Sequence, residues 1–456
     1  MAKEMIWKDK NADIKKCFEF CEDYRRFISE NKTERECVAA MIKELKAAGA
    51  VELKKLIESG RAPKENELVY TDMMKKALIV FRTGRRPVTD GLRVLGAHID
   101  SPRIDIKQNP FYEDHELAYF DTHYYGGIKK YQWTARPLAL HGVVVKKDGT
   151  TVNIVVGEDE NSPVIGISDL LPHLSKDQNE KKLAEAIPGE KLDILIGSIP
   201  MEDCEKEAVK AAVLKLLKDE YNIEEEDFTS AEIEAVPAGA ARDYGLDRSM
   251  ILGYGQDDRV CGYTSFKAIM EEENPEFTSV CLLVDKEEIG SVGATGMQSR
   301  FFEDTVADFM DVCGCFSPIA LRRTLRSSKV LSSDVSAGFD PCYPEVMVPT
   351  SACYLGYGPV FNKFTGARGK SGSNDANPEY IAYLRNIMDN AGIKYQYAEL
   401  GKVDQGGGGT IAYILANLTM EVIDFGVSVL NMHAPCEVTS KADIYEAYRA
   451  YRVFLR

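Results

Sequence analysis

Apolar positions near the start of the chain recur every three or four residues: Ile14, Cys17, Phe18, Cys21, Tyr24, Phe27 and Ile28. At 3.6 residues per turn this spacing gathers them on one face, which predicts an amphipathic helix against a core. A second helix follows. It is opened by the capping pair Thr33 and Glu36 and closed by Gly49, a residue able to take the left-handed conformation that ends helices. The pattern then shortens into unbroken apolar runs at 77–81 and 92–97, read as core strands, the second delivering His98 to its end. Between about 104 and 236 the runs are strand-like and separated by polar turns, at 138–146, 151–156 and 192–196, with one helix at about 205–218. After Pro237 strands and helices alternate again, helical at 259–272 and 374–391 and extended at 278–284 and 422–424. Such alternation predicts an α/β fold, a mostly parallel sheet flanked by helices. The middle stretch predicts a separate β-rich domain inserted into it, giving 1–103, 104–236 and 237–456 as first α/β part, insertion and second α/β part.

A chain of 456 residues also exceeds the size at which one core keeps growing, in keeping with two domains. Its formal charge of −16 excludes a general nucleic-acid binder, which needs surplus Lys and Arg to meet phosphates. No apolar run approaches a bilayer span, and Met1-Ala2-Lys3-Glu4-Met5 is followed by no signal-like apolar stretch, so no membrane partner is expected. The cysteines, 11 in number, are scattered, with only Cys313 and Cys315 close together; free thiols in a reducing cytoplasm fit this better than a disulfide framework. Zinc-finger spacing is absent, so a metal here would take oxygen and imidazole ligands.

Chemistry concentrates where apolar runs stop. The run ending at Val284 gives way to Asp285-Lys286-Glu287-Glu288-Ile289-Gly290, and comparable breaks carry His98-Ile99-Asp100, Gln256-Asp257-Asp258-Arg259, Ser332-Ser333-Asp334 and Asn431-Met432-His433. In an open α/β sheet ligands collect beyond the carboxyl ends of strands, where residues distant in sequence converge. Two neighbouring divalent cations need a bridging carboxylate, further ligands for each and room for the attacking water. His98, Asp257, Glu288, Asp334 and His433 meet that need. With Asp257 as bridge, one cation takes His98 and Asp334 and the other Glu288 and His433, with a shared water between them. Glu287, beside a ligand but turned differently, suits a general base that later protonates the leaving amine. Asp100 lies near enough to His98 to fix its ring, and Asp258 is placed to support the backbone or Arg259. Any one of these motifs alone is more often a hydrogen-bonded or solvated residue. Their co-occurrence in a chain with 6 histidines favours the site.

The segments Gly96-Ala97-His98-Ile99-Asp100-Ser101-Pro102, Asp257-Asp258-Arg259-Val260, Glu287-Glu288-Ile289-Gly290-Ser291, Ser333-Asp334 and Met432-His433 resemble, in order and approximate separation, the M18 family of metallo-aminopeptidases. That resemblance implies a zinc exopeptidase-like α/β catalytic domain, an inserted domain used in dimer contacts, and assembly of dimers into a homododecamer. It implies two divalent ions per subunit, zinc in first place with manganese or cobalt as alternatives, and short peptides with a free N-terminus as substrates. In Leu171-Pro172-His173-Leu174, His173 resembles the family histidine that reaches a neighbouring subunit's active site to bind the substrate carbonyl; the alternative is a plain surface or core histidine. After Gly358-Pro359-Val360 come Phe361, Asn362 and Lys363, whereas acidic-specific members place a lysine about one residue earlier, so Lys363 either reads acidic N-terminal side chains or turns away. Gly406 to Gly409 lack the Lys-Ser/Thr ending of a phosphate loop and read as a turn before a helix at about 410–417, with a substrate contact as a second role. Other readings of the same residues are a metal-dependent dipeptidase or deacylase and a non-catalytic oligomeric metal-binding scaffold. Glu287 argues against the scaffold, which needs no base.

Overall fold

The computed structural model describes residues 4–456; the reading of the extreme N-terminus as free of a targeting signal falls partly on Met1 to Lys3, outside the described residues. The chain divides into two compact units, one holding the chain up to Asp100 with Ala241–Met432 and Glu437–Arg456, the other holding Ser101–Ala240 with His433–Cys436.

The first unit is an α/β domain around a nine-stranded sheet. Its centre is parallel: Thr278–Val284, Leu92–His98, Lys329–Ser332 and Glu421–Gly426 lie side by side in that order. Antiparallel pairings flank that centre, Thr278–Val284 with Ala77–Arg82 and Glu421–Gly426 with Val360–Asn362, so the sheet is mixed around a parallel core. These strands are uniformly apolar because both faces are covered. Leu78 and Val80 enter one core with Leu95 and Leu283, whereas Ile79 and Phe81 enter the other with Val94 and Leu282, the period of two expected of a strand. The first core is closed by helices Ile14–Glu30, Gln256–Glu271, Pro378–Asn390 and Lys441–Leu455, and the second by Leu53–Ser59, Phe301–Val312 and Pro318–Ser327.

The predicted first helix is present at Ile14–Glu30, with Asp13 accepting the Lys16 amide as its cap. Its buried face is Cys17, Cys21, Tyr24, Phe27 and Ile28, while Ile14, in the first turn, is exposed. Thr33 and Glu36 form a complete capping box on Glu34–Ala47. The helix expected from 374 begins at Pro378, since proline at the first turn loses no needed N–H.

One expectation needs correction. The runs before Gln256 and before His433 are not strands of the main sheet. Met250–Gly253 and Ser428–Leu430 belong to a separate five-stranded sheet with Arg242–Tyr244, Glu437–Ser440 and Ser336–Ala337. All five of these strands are two to four residues long, too short for apolar periodicity to assign them to a sheet.

The second unit is β-rich: six strands in the order Thr151–Val156, Leu138–Val145, Ala231–Pro237, Arg103–Asp114, Leu117–Tyr125 and Ile194–Gly197, every pairing antiparallel. The helix Ala208–Tyr221 belongs to this unit. Among the described residues no helix is long and apolar enough to cross a membrane, and all 11 cysteines are free.

Candidate metal centre

Three of the motifs leave the carboxyl ends of three adjacent parallel strands. His98 ends Leu92–His98, the Glu287-Glu288 turn follows Thr278–Val284 on one side, and Asp334 follows Lys329–Ser332 on the other. The strand register sets Val284 beside His98 and Ser332 beside Gly96, so pairing alone carries the motifs to one edge of the sheet.

Asp257 reaches the same place from the small sheet. The chain turns at Gly255, whose φ is +69°; a Cβ there would lie 1.7 Å from the Arg259 guanidinium, so no side chain fits. Arg259, fully buried, donates through Nε to the Gly255 carbonyl at 3.1 Å and through Nη1 to the Asn31 carbonyl at 2.8 Å. Gln256 donates to the carbonyls of Ile251 (3.0 Å) and Glu437 (2.7 Å), and the Glu437 carboxylate accepts the Asp257 amide at 3.1 Å. The Asp257-Asp258 peptide is cis.

The result is a buried cluster. One donor atom each from His98, Asp257 and Asp334 lies within 4.8 Å of the others, and all three residues are buried. His98 Nε2 is 3.2 Å from Asp257 Oδ1 and 3.9 Å from Glu287 Oε2. Its Nδ1 meets the Asp100 backbone carbonyl at 3.0 Å, with an Asp100 carboxylate oxygen at 3.3 Å. The orienting contact is therefore shared between main chain and side chain, and the Asp100 carboxylate also accepts the amides of Glu287 (3.1 Å) and Glu288 (3.2 Å). Asp100 thus ties the imidazole segment to the acidic turn.

Burial, followed by the charge of Asp258, pushes the Asp334 carboxyl well above the usual range; His98 opposes this and Asp257 and Glu287 reinforce it. Burial likewise raises Asp258; the charge of His98 opposes this and that of Asp257 reinforces it. For His98, burial pulls downward, but hydrogen bonds with Asp100 and Asp257 and the charge of Glu287 outweigh it and hold the ring well above its ordinary value. Several carboxylates and an imidazole in one dry space call for positive charge, and this oxygen and nitrogen donor set fits zinc or another first-row divalent ion.

Glu288 is partly buried in the turn Glu287–Ile289. His433, with φ +64°, groups with the second unit, its Nδ1 2.9 Å from the Gly127 carbonyl oxygen. His173 sits exposed in the short turn Pro172–Leu174, beside the exposed Leu170, Leu171 and Leu174. Lys363 is half-exposed and paired with Asp375 at 3.0 Å, whose other oxygen meets Lys370 at 3.0 Å. At Gly406 a Cβ would fall 1.7 Å from the Leu400 carbonyl oxygen, which gives this glycine a structural reason, and the helix that follows is Ala412–Ala416. Sequence reasoning missed Glu437. A carboxylate four residues after His433 was the available signal, but its partner, the Asp257 amide, is visible only in three dimensions.

An α/β sheet that carries a carboxylate and imidazole cluster at its parallel strand ends is the architecture of a metal-dependent exopeptidase. Residues 27–455 match the family model described as aminopeptidase I zinc metalloprotease (M18). A Clostridium acetobutylicum protein named "Probable M18 family aminopeptidase 1" is 57% identical, with 100% of each chain covered. The crystal structure of an M18-family aminopeptidase from Thermotoga maritima superposes with a TM-score of 0.96 at 43% identity, covering 100% of this chain and 99% of the other. That of aminopeptidase I from Clostridium acetobutylicum gives 0.92 at 53%, covering 99% of each. The chain belongs to the M18 family of aminopeptidases, and its activity is that of a metal-dependent aminopeptidase.

Proposed function

We propose that this enzyme removes the N-terminal residue of short peptides using two zinc ions per subunit, with Glu287 as general base. The observation that carries the reading is the convergence of His98, Asp257 and Asp334 within 4.8 Å, with the Glu287 carboxylate 3.9 Å from the same imidazole. In this reading Asp257 bridges, His98 and Asp334 complete one ion's protein ligands, and Glu288 and His433 complete the other's. When bound, such ions polarise the scissile carbonyl and make water acidic enough to attack at neutral pH. The chain's own residues do the remainder. Asp100 holds the His98 ring and the acidic turn together. Glu287, with a side chain 16% exposed, is open enough to take a proton from the attacking water and shielded enough to keep it for the leaving amine.

The description of the family as zinc metalloproteases supports the metal. Assembly is part of the proposal: Leu170, Leu171 and Leu174 present apolar surface around His173, which suits a contact between copies of the chain. A yeast relative of similar fold is described as the mApe1 dodecamer. We assign the same state here, with the inserted domain making the dimer contacts and His173 binding substrate in a neighbouring subunit. Eleven free cysteines support a cytoplasmic setting. Lys363, engaged by Asp375, is not assigned to acidic substrates.

The deciding experiment is Glu287→Gln. It should keep full zinc content while turnover falls at least about a hundredfold, because a base is lost and no ligand is. Near-normal turnover in the zinc-loaded variant removes Glu287 from this role.

A further inference from the structure

The strand Thr278–Val284 runs straight into Asp285, and the chain returns beside it after the Glu287-Glu288 turn, forming a parallel bridge between Asp285 and Gly296. Two contacts close this loop, and a third fixes the Asp285 side chain. The Asp285 amide donates to the Thr295 carbonyl at 3.1 Å, the Thr295 hydroxyl donates to Asp285 Oδ2 at 2.6 Å, and Asp285 Oδ1 accepts the Lys286 amide at 2.8 Å. Asp285 is fully buried and Thr295 is 3% exposed. Charge is balanced by Lys286 Nζ at 3.2 Å and by the buried Lys76, 3.7 Å from Asp285 and 3.0 Å from Glu34.

Within the loop, the Ser291 amide donates to the Lys286 carbonyl at 2.7 Å, and a Cβ at Gly296 would lie 2.4 Å from the Ser291 carbonyl oxygen, so the return path needs glycine. A loop whose ends are joined and whose interior is filled by its own atoms behaves as a unit. A hydroxyl donating to a buried carboxylate is among the stronger neutral-to-charged hydrogen bonds. The Asp285 and Thr295 contacts lie at the base of the loop, and Asp100 grips its tip through the Glu287 and Glu288 amides.

We propose that Asp285 and Thr295 form a clasp that sets where Glu287 and Glu288 stand, which makes Thr295 a positioning residue for the aminopeptidase reaction. The inference rests on Glu287 being the base. Thr295 acts through the loop, and misplacing a reacting group by about 1 Å costs on the order of a hundredfold in rate.

The test uses the zinc-loaded enzyme. Thr295→Val keeps the shape and removes the donor, and Thr295→Ser restores it. Thr295→Val should lower kcat per bound zinc by about tenfold or more with KM within about twofold, and Thr295→Ser should recover most of the loss. Amide hydrogen exchange over residues 286–296 should quicken in Thr295→Val while 278–284 stays unchanged. Wild-type kcat and exchange in Thr295→Val, or a Thr295→Ser as damaged as the valine variant, would overturn the clasp. If Thr295→Val does not fold, exchange in the wild-type chain decides: the clasp requires protection at 286–288 approaching that of the adjoining strand, and free exchange there overturns it. The exchange result does not depend on which residue is the base. A fully active Glu287→Gln would therefore sink the base assignment alone, whereas an inactive Glu287→Gln beside a normal Thr295→Val would sink the clasp alone.

Discussion

Two acidic pairs lie at the candidate metal centre, and they are held in opposite ways. Asp257 and Asp258 are 3% and 0% exposed, fixed by the Arg259 and Glu437 hydrogen bonds on a turn that cannot take a Cβ at Gly255. Glu287 and Glu288 are partly open, and their own amides, not their carboxylates, are pinned by Asp100. A fully buried carboxylate cannot exchange protons with water readily and is stable only beside positive charge, which suits a cation ligand. A partly open carboxylate on a well-fixed backbone can exchange a proton and keep its place, which suits a base. In the proposed reading the buried Asp257 is a metal ligand and the partly open Glu287 the base, so these two carboxylates divide binding from proton transfer by how much water each meets.

The most severe way to break this comparison is Asp257→Ala. With the proposed bridge gone, both ions should be lost after dialysis, whereas Asp100→Ala, which removes only an orienting contact, should weaken zinc binding or activity by about 10- to 100-fold. Elemental analysis of both variants gives the comparison. Equal and full zinc in the two would remove Asp257 from the ligand set and, with it, the division between the pairs.

How far the sequence foretold this arrangement differs element by element. Leu92–His98 and Thr278–Val284 were legible because both faces of a parallel strand are apolar, and their abrupt polar endings marked His98 and the Glu287 turn. The helix at Ile14–Glu30 was legible from its spacing and that at Glu34–Ala47 from its capping pair. The small sheet was not, because strands such as Ser428–Leu430 and Ser336–Ala337 are too brief to show a period. The helix Lys441–Leu455 also passed unread, its buried face interrupted by Lys441, Asp443 and Glu446, each of which has a partner distant in sequence. Asp443 accepts the amides of Gly356 and Gly358, and Glu446 that of Lys394. At the candidate site, the residue types able to hold a metal were readable from chemistry, but the grip of Glu437 on Asp257 and of Thr295 on Asp285 depends on chain crossings that no local pattern encodes.

Histidines sharpen the comparison at the next level of effect. His98 is buried within the cluster, and His173 stands exposed on a short turn of the other unit. Under the proposed assembly His173 supplies a donor to the substrate carbonyl in a neighbouring subunit, so His173→Ala should lower kcat by about a hundredfold and leave zinc content intact. Co-assembling Glu287→Gln with His173→Ala subunits should then restore activity, since some sites draw the base from one chain and the histidine from another. Verified mixed assemblies that stay inactive return His173 to an ordinary surface residue.

The smallest effect is expected at Lys363, where the charge pair is open to water. Its side chain is 45% exposed and that of Asp375 46%, and Asp375 also holds Lys370. Exposed pairs of this kind contribute about 0 to 1 kcal/mol, far less than the several kcal/mol at stake when one partner of a desolvated pair is removed. A substrate carboxylate would have to compete with Asp375, which is held in place by the chain and already shared between two lysines. Lys363→Ala should therefore change kcat/KM for N-terminal Asp and Glu substrates by less than about threefold, and by a similar factor for Leu and Met substrates. Profiling the variant and the wild-type enzyme across those four residues checks it. A selective loss of about tenfold or more on Asp and Glu alone would show that Lys363 leaves Asp375 to read an acidic side chain, and that an exposed pair can set specificity as firmly as the buried cluster sets the metal.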